Sequence, residues 1–370
     1  MTSRQRLLTA LDRGKPDRLP VTVHQWQPYH RDVYLGGISE LEACRRFGLD
    51  AQVQYSEFMT YSKEEASVAA STAEWRVEAA VLSRDPERRV VRYTATTPGG
   101  RLTWMTEGNA KTTWVVEYPV KRDEDIELIA KYQPVSRCDR DEVAALAAAV
   151  GEDGIVRGFV WGDQAGCWQH ACCLVDANDL ILATFDKPDW VRRFLDILLE
   201  KKLRFVESMK GARFDLVEAG GGAASSTLIS PALHAEFCLP YDRALHRALR
   251  DQGFRIVYHT CGGTLGIEES IVANGCHASE TLAPPSIGGN QEPWEFAAKI
   301  QGRLALIGGL DQHRVLTEGE PELIRGKVRE LFEKVGPDGG YILSLSDHFF
   351  DTPPDKLAVY AEAGRSCVYR

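Results

Sequence analysis

The sequence predicts an α/β chain built as a (β/α)8 TIM barrel, with a small antiparallel β insert near its N-terminus. Strand-like apolar runs alternate with helix-length segments over most of the chain, most regularly after residue 155. The runs reach a count of eight, which favours a closed barrel over an open doubly wound sheet. Polar and aromatic residues collect where the runs end, on the side of a barrel that carries active sites.

The elements follow in order. Ser3 to Asp12 reads as a helix with Leu7, Leu8 and Leu11 on one side, ended by Gly14 and Pro16. Leu19–His24 is the first strand. Helical signal returns at Ser39–Phe47, closed by Gly48, and Asp50–Tyr55 is the second strand. Trp75–Glu78, Val90–Ala95 and Leu102–Trp104 are short strands of an insert spanning 74–120 within a single domain of 1–370. In the middle one Val91, Tyr93 and Ala95 share a face. Asp85-Pro86 and Pro98-Gly99-Gly100 supply the turns. Asp123–Tyr132 leads through Pro134 into a helix over Arg140–Val150. Strands three to eight are Ile155–Trp161, Phe214–Glu218, Phe254–His259, His277–Leu282, Leu304–Gly309 and Tyr341–Ser346. Helices over Pro188–Met209, Pro231–Gln252, Glu292–Gln301 and Glu320–Val335 separate them.

Composition narrows the function classes. The 370 residues are 44% hydrophobic, enough for a large core, and carry a formal net charge of −9. No basic block stands out, which argues against a nucleic-acid surface. No apolar run approaches the roughly 18 residues of a membrane span. The amphipathic start is unlike a secretory signal, and nine cysteines show no disulfide-like framework, so reduced thiols in a cytoplasm are expected.

The stretch Val257-Tyr258-His259-Thr260-Cys261-Gly262-Gly263 is the centre of the functional reading. In an extended chain His259 and Cys261 leave on one face, and an imidazole beside a thiolate suits zinc. A buried thiol next to a hydrogen-bonded imidazole is the structural alternative. The other strand ends supply His24 and Trp26; Tyr55 and Glu57; Trp161, Asp163 and Gln164; Glu218; Glu280; Asp311; and Asp347 with His348. Phe58, Tyr61 and Trp168 add aromatic surface, for a pocket or for ordinary packing. Gly220-Gly221-Gly222 lacks a nucleotide fingerprint and reads as a tight loop.

Several stretches resemble the uroporphyrinogen decarboxylase superfamily. They are Arg4-Gln5-Arg6-Leu7-Leu8-Thr9-Ala10-Leu11 with Pro16-Asp17-Arg18-Leu19-Pro20-Val21, Leu228-Ile229-Ser230-Pro231, His259-Thr260-Cys261-Gly262, Gly308-Gly309-Leu310-Asp311, and Gly339-Gly340-Tyr341-Ile342-Leu343 followed by Thr352-Pro353-Pro354. The resemblance implies a (β/α)8 barrel. The decarboxylase branch has a Met-Arg-Gln-Ala-Gly-Arg type motif after the first strand, and this chain has Thr22-Val23-His24-Gln25-Trp26-Gln27-Pro28-Tyr29 there, which argues against porphyrinogen decarboxylation. In its His-x-Cys the chain is closer to the zinc-dependent, corrinoid-linked methyltransferases. Those usually add a cysteine near the last strand, where this sequence has Ser344-Leu345-Ser346-Asp347-His348.

The resemblance therefore implies a cobamide-dependent methyltransferase moving a methyl group between a small methylated, or methoxylated, compound and a corrinoid protein. Zinc would be held by His259 and Cys261, completed by His348, by Glu218 or by Asp347. His24, Trp26, Tyr55, Trp161 and Gln164 are expected to bind substrate. Glu218, Asp163 and His348 are the acid–base candidates, and they would carry the work alone in a metal-independent decarboxylase or lyase. The chain has no recognisable cobalamin-binding segment, so the corrinoid would arrive on a partner. The resemblance is compatible with a homodimer. A non-catalytic barrel that binds a small ligand is the remaining alternative.

Overall fold

The computed structural model of the chain describes residues 1–55, 68, 70–162, 164–300 and 302–370. Glu57, Phe58, Tyr61 and Asp163 lie outside them. Two sheets organise the chain. The strands in chain order are β1 (Ala51–Gln54), β2 (Arg76–Asp85), β3 (Arg88–Thr97), β4 (Gly100–Gly108), β5 (Thr113–Glu117), β6 (Gly154–Phe159), β7 (Leu216–Gly220), β8 (Ile256–His259), β9 (Ala278–Thr281), β10 (Ala305–Leu310) and β11 (Tyr341–Leu345). One sheet is parallel and seven-stranded in the order β1-β6-β7-β8-β9-β10-β11, and the other is antiparallel in the order β2-β3-β4-β5.

Among the described residues there are thus seven parallel strands where the sequence predicts eight. Leu19–His24 forms only a one-residue parallel bridge, Val21 to Leu343. Pro20 has no N–H to give to a ladder. The Val21 N–H goes instead to the buried carboxylate of Asp50, at 2.9 Å. The segment still bonds to both sides of the gap: Thr22 donates to the Leu343 carbonyl, and Asp50 donates to the Val21 carbonyl. Arg6 and Arg18 hold the same carboxylate at 2.6 to 3.1 Å. Asp50→Asn, which removes the charge these guanidiniums face, is expected to lower stability by about 1.5–3 kcal/mol. Urea unfolding followed by circular dichroism checks this, and an unchanged midpoint would refute it.

The interior of the parallel sheet is built in two layers by the period of two along each strand. The lower layer is apolar: Ile155, Leu216, Val257, Ala278, Ala305, Ile307 and Ile342. The helix Ser3–Leu11 packs Leu7, Ala10 and Leu11 against it. Two residues further on, four of these strands place Arg157, Glu218, His259 and Glu280, and β11 places Ser344. An apolar floor therefore lies under a polar layer. A larger apolar core lies between the sheet and its helices, with Val156, Val217, Ile256, Tyr258 and Leu306 among its members.

The insert is larger than predicted, with four strands in place of three short ones. Val91, Tyr93 and Ala95 are buried on one face, with Ile126, Ile129, Val191, Phe194 and Leu198 in the same core. The fourth strand, β5, which the sequence reading did not assign, pairs antiparallel with β4 and leaves Trp114 and Val116 exposed. The helix expected over Pro231–Gln252 is interrupted. A π-helical segment, His234–Cys238, precedes the helix Leu239–Asp251. Pro240 has no N–H, and its ring excludes the carbonyl four residues back, which favours the wider turn.

A candidate metal centre at the strand ends

The polar layer converges because neighbouring parallel strands are in register. His259 of β8 stands opposite Gly220 of β7 and Glu280 of β9. Glu218 of β7 stands opposite Phe159 of β6. Arg157 is 1% exposed and is the hub. It donates to Glu280 Oε2 at 2.8 Å and to Glu218 Oε2 at 2.6 Å, and its Nη2 also contacts Glu280 Oε1. His259 Nδ1 lies 2.8 Å from Glu280 Oε1 and 3.9 Å from Glu218 Oε1. Holding the imidazole through Nδ1 directs the Nε2 lone pair to a ligand, the usual way a carboxylate orients a metal-binding histidine.

Three imidazoles line up across the site. The ring of His24 stacks on His259 with centroids 5.0 Å apart and lies 5.2 Å from His348. His24 Nδ1 is 4.0 Å from Glu280 Oε2. His348 Nε2 is 2.6 Å from Gln25 Oε1, and its Nδ1 is 3.6 Å from Asp347. Two sets of donor atoms lie within 4.8 Å of one another, His24–His259–Glu280 and His24–Asp347–His348. Cys261 sits beside the His259 ring at the rim of the first set, and its sulfur favours the protonated imidazole. Glycines make room for it. A side chain at Gly222 would strike Cys261 Sγ, and Gly220 turns the chain at φ +92°.

Charge and burial set the protonation states. Burial works to lower the His259 pKa, but the hydrogen bonds with Cys261 and Glu280 and the charges of Cys261 and Glu218 leave it well above the usual imidazole value. Burial would raise Glu280, yet the Arg157 charge, the His259 hydrogen bond and the neighbouring imidazoles hold it well below the carboxylate range. For His24 burial dominates and the pKa falls to about 3, despite the pull of Glu280. Burial likewise lowers His348. Burial also acts to raise Asp347, and the charges of His24, His348 and His259 outweigh it and lower the pKa. With His24 and His348 neutral and His259 protonated, three carboxylates face one guanidinium and one imidazolium, an excess of one negative charge.

The site residues expected from sequence divide into two groups. His24, Glu218, His259, Asp347 and His348 come together, with Cys261 at the rim. The ring of His24 lies between those of His259 and His348. The others have contacts of their own. Trp26 is buried, donates to Cys44 Sγ, and packs on Phe47 and Phe349. Trp161 packs edge-on to His170, and its carbonyl and that of Gln164 accept from Lys202. The Tyr55 hydroxyl meets Glu142, and the Trp168 indole meets the Ala223 carbonyl. Sequence reasoning missed Arg157 altogether and gave Glu280 no role. A lone arginine inside the run Gly154-Ile155-Val156-Arg157-Gly158-Phe159 was the available signal, because a parallel strand buried on both faces tolerates a charge only if it is paired.

A curled parallel sheet with histidines and carboxylates at its strand ends is the frame of an enzyme of the α/β class. The family model for uroporphyrinogen decarboxylase (URO-D) matches residues 104–367, and the chain belongs to that family. The match begins inside β4 and leaves His24 outside. Among solved structures, a methyltransferase from Methanosarcina mazei aligns at TM-score 0.67 with 18% identity, covering 99% of both chains. That likeness is one of fold. The 3-keto-L-gulonate-6-phosphate decarboxylase of Vibrio cholerae aligns at TM-score 0.29, with 12% identity over 60% of this chain and 78% of its own. Xylanase 10B of Thermotoga maritima aligns at 0.35, with 11% identity over 66% and 83%. Both are too distant to carry an argument. No curated protein matches the chain. Among the described residues no helix is long and apolar enough to cross a membrane.

Proposed function

We propose that the chain transfers a methyl group between a small methylated or methoxylated compound and a corrinoid carried by a partner protein, with zinc in the strand-end cluster. The observation behind this reading is that Arg157 is neutralised by Glu218 and Glu280. A guanidinium saturated by its own chain has little to offer a substrate carboxylate. The negative charge left over disfavours a polycarboxylate and favours a cation. The donor chemistry fits: two imidazoles and a carboxylate, His24, His259 and Glu280, suit zinc, with the Cys261 thiol alongside. Zinc bound there would act as a Lewis acid on the heteroatom that carries the methyl group.

The chain's own residues do the rest. Glu280 and Arg157 fix the His259 ring. Nitrogen and oxygen donors make a harder site than a thiolate set, which suits an ether or alcohol oxygen better than a soft sulfur. His348 is half-exposed, donates from Nε2 to Gln25 Oε1, and keeps its Nδ1 lone pair beside Asp347, where it takes a proton from solvent and passes it to the demethylated heteroatom. Asp347, Glu218 and Cys261 are the further donors that would complete a zinc shell there.

Elemental analysis and an assay with reduced cobalamin and methoxylated aromatics test this reading. We expect about one zinc per chain, loss of methyl transfer on chelation, and recovery with added zinc. Metal-free protein that neither binds zinc nor methylates cobalamin would refute it. The family match favours a second reading, a metal-independent decarboxylase using Glu218 and His348. Chelator-insensitive release of carbon dioxide from an acidic substrate would establish that one instead.

A further inference from the structure

We propose that the opposite end of the parallel sheet, its N-terminal face, binds a small phosphate-bearing dianion. Two adjoining cavities of about 350 and 420 Å³ open there and share Asp12, Arg250 and His277. That is the size of ordinary small-molecule sites, about 300–1,000 Å³. The walls come from the turns entering the strands. Arg255 precedes β8, His277 precedes β9, Arg303 and Leu304 precede β10, and Arg13 follows the first helix.

Four guanidiniums line these cavities, and among the described residues two of them meet a carboxylate. Arg255 holds Asp12 through two bonds of 2.9 Å, and Arg303 holds Glu269 at 2.8 and 2.7 Å. Arg13 donates to the carbonyls of Gly302 and Arg303, and Arg250 to that of Gly275. A carbonyl fixes a guanidinium in place without cancelling its charge. Among the described residues Arg13 and Arg250 therefore leave two positive charges on one concave surface, in a protein whose formal net charge is −9. Planar, bidentate donors of this kind are well matched to phosphate oxygens.

Two further features point the same way. His277 Nδ1 accepts the Ile256 N–H at 3.1 Å, so Nε2 carries the ring hydrogen and is a donor. Burial, then the fields of Arg250, Arg255 and Arg13, keep that imidazole neutral. Arg13 has φ +65°, a left-handed conformation that glycine adopts more cheaply at a helix end. An arginine kept there places its guanidinium across the gap to the Gly302 turn.

Isothermal titration at low ionic strength with pyrophosphate, inorganic phosphate and citrate tests the site. We expect saturable pyrophosphate binding at one per chain, phosphate weaker, and citrate weaker still. The double variant Arg13→Gln/Arg250→Gln keeps donors for the backbone carbonyls and should lose at least tenfold in pyrophosphate affinity. Arg250→Lys should lose less. Thermal midpoints, read on the same samples, show that the fold is intact. Equal affinity in a folded double variant, no saturable binding to the wild type, or citrate bound as tightly as pyrophosphate would each overturn the proposal. None of these outcomes depends on what the histidine cluster does.

Discussion

His259→Ala is expected to release bound zinc and to cut methyl transfer by about 100-fold or more, the equivalent of roughly 3 kcal/mol of transition-state stabilisation. The imidazole is where the site's interactions meet: Glu280 at Nδ1, Glu218 beyond it, Cys261 at the ring and His24 stacked on its face. Zinc content by mass spectrometry and turnover with reduced cobalamin are the readouts. A variant that keeps both would move the ion to the His24–Asp347–His348 set. The pH dependence has a definite sign. In the metal-free protein His259 titrates well above the ordinary imidazole value, so an incoming ion must displace a proton. Zinc affinity should therefore fall as pH falls from that raised pKa. An affinity independent of pH between 6 and 8 would argue that His259 is not a ligand.

The difference between what the sequence disclosed and what it did not is physical. His259 and Cys261 were legible because a strand that ends in His-x-Cys-Gly-Gly shows its chemistry in one local stretch. The seven parallel strands among the described residues were legible as buried apolar runs, each found within two residues of its ends. The first run failed as a strand because a distant group, the Asp50 carboxylate, takes the N–H that a ladder would need. The partners of His259 were not legible because they depend on register. Glu280 is 21 residues away, Arg157 more than 100 residues away, and only the pairing of β6 through β9 makes them neighbours. His24 was read as a pocket residue because its place beside β11 is set by a single bridge. Trp26 precedes the helix Pro28–Leu35 and packs into the core, while His24, two residues earlier, faces the cluster.

Arg157→Leu should cost about 3–5 kcal/mol, because it leaves Glu218 and Glu280 buried without their cation. The leucine fills much of the volume, so the loss reports charge more than packing. The sign of its pH dependence separates this from a cavity effect. In the wild type Glu280 has a depressed pKa, with Arg157 the largest favourable influence on its charged form. Its contribution to stability is present above the unfolded carboxylate pKa and is lost as pH falls through the folded value. In the variant the same carboxyl is buried without that cation, so protonation relieves it. The stability difference between the two proteins should therefore narrow as pH falls from 8 to 5, in chelator-treated samples followed by urea unfolding. A cavity would leave the difference constant. Arg157→Leu combined with Glu218→Leu and Glu280→Leu should recover much of the lost stability, because an apolar replacement for a buried ion network is often neutral or better. That triple variant should still bind no zinc. If Arg157→Leu unfolds within about 1 kcal/mol of the wild type at pH 8, the two carboxylates are not held charged by this guanidinium, and the electrostatic argument for a cation site falls with it.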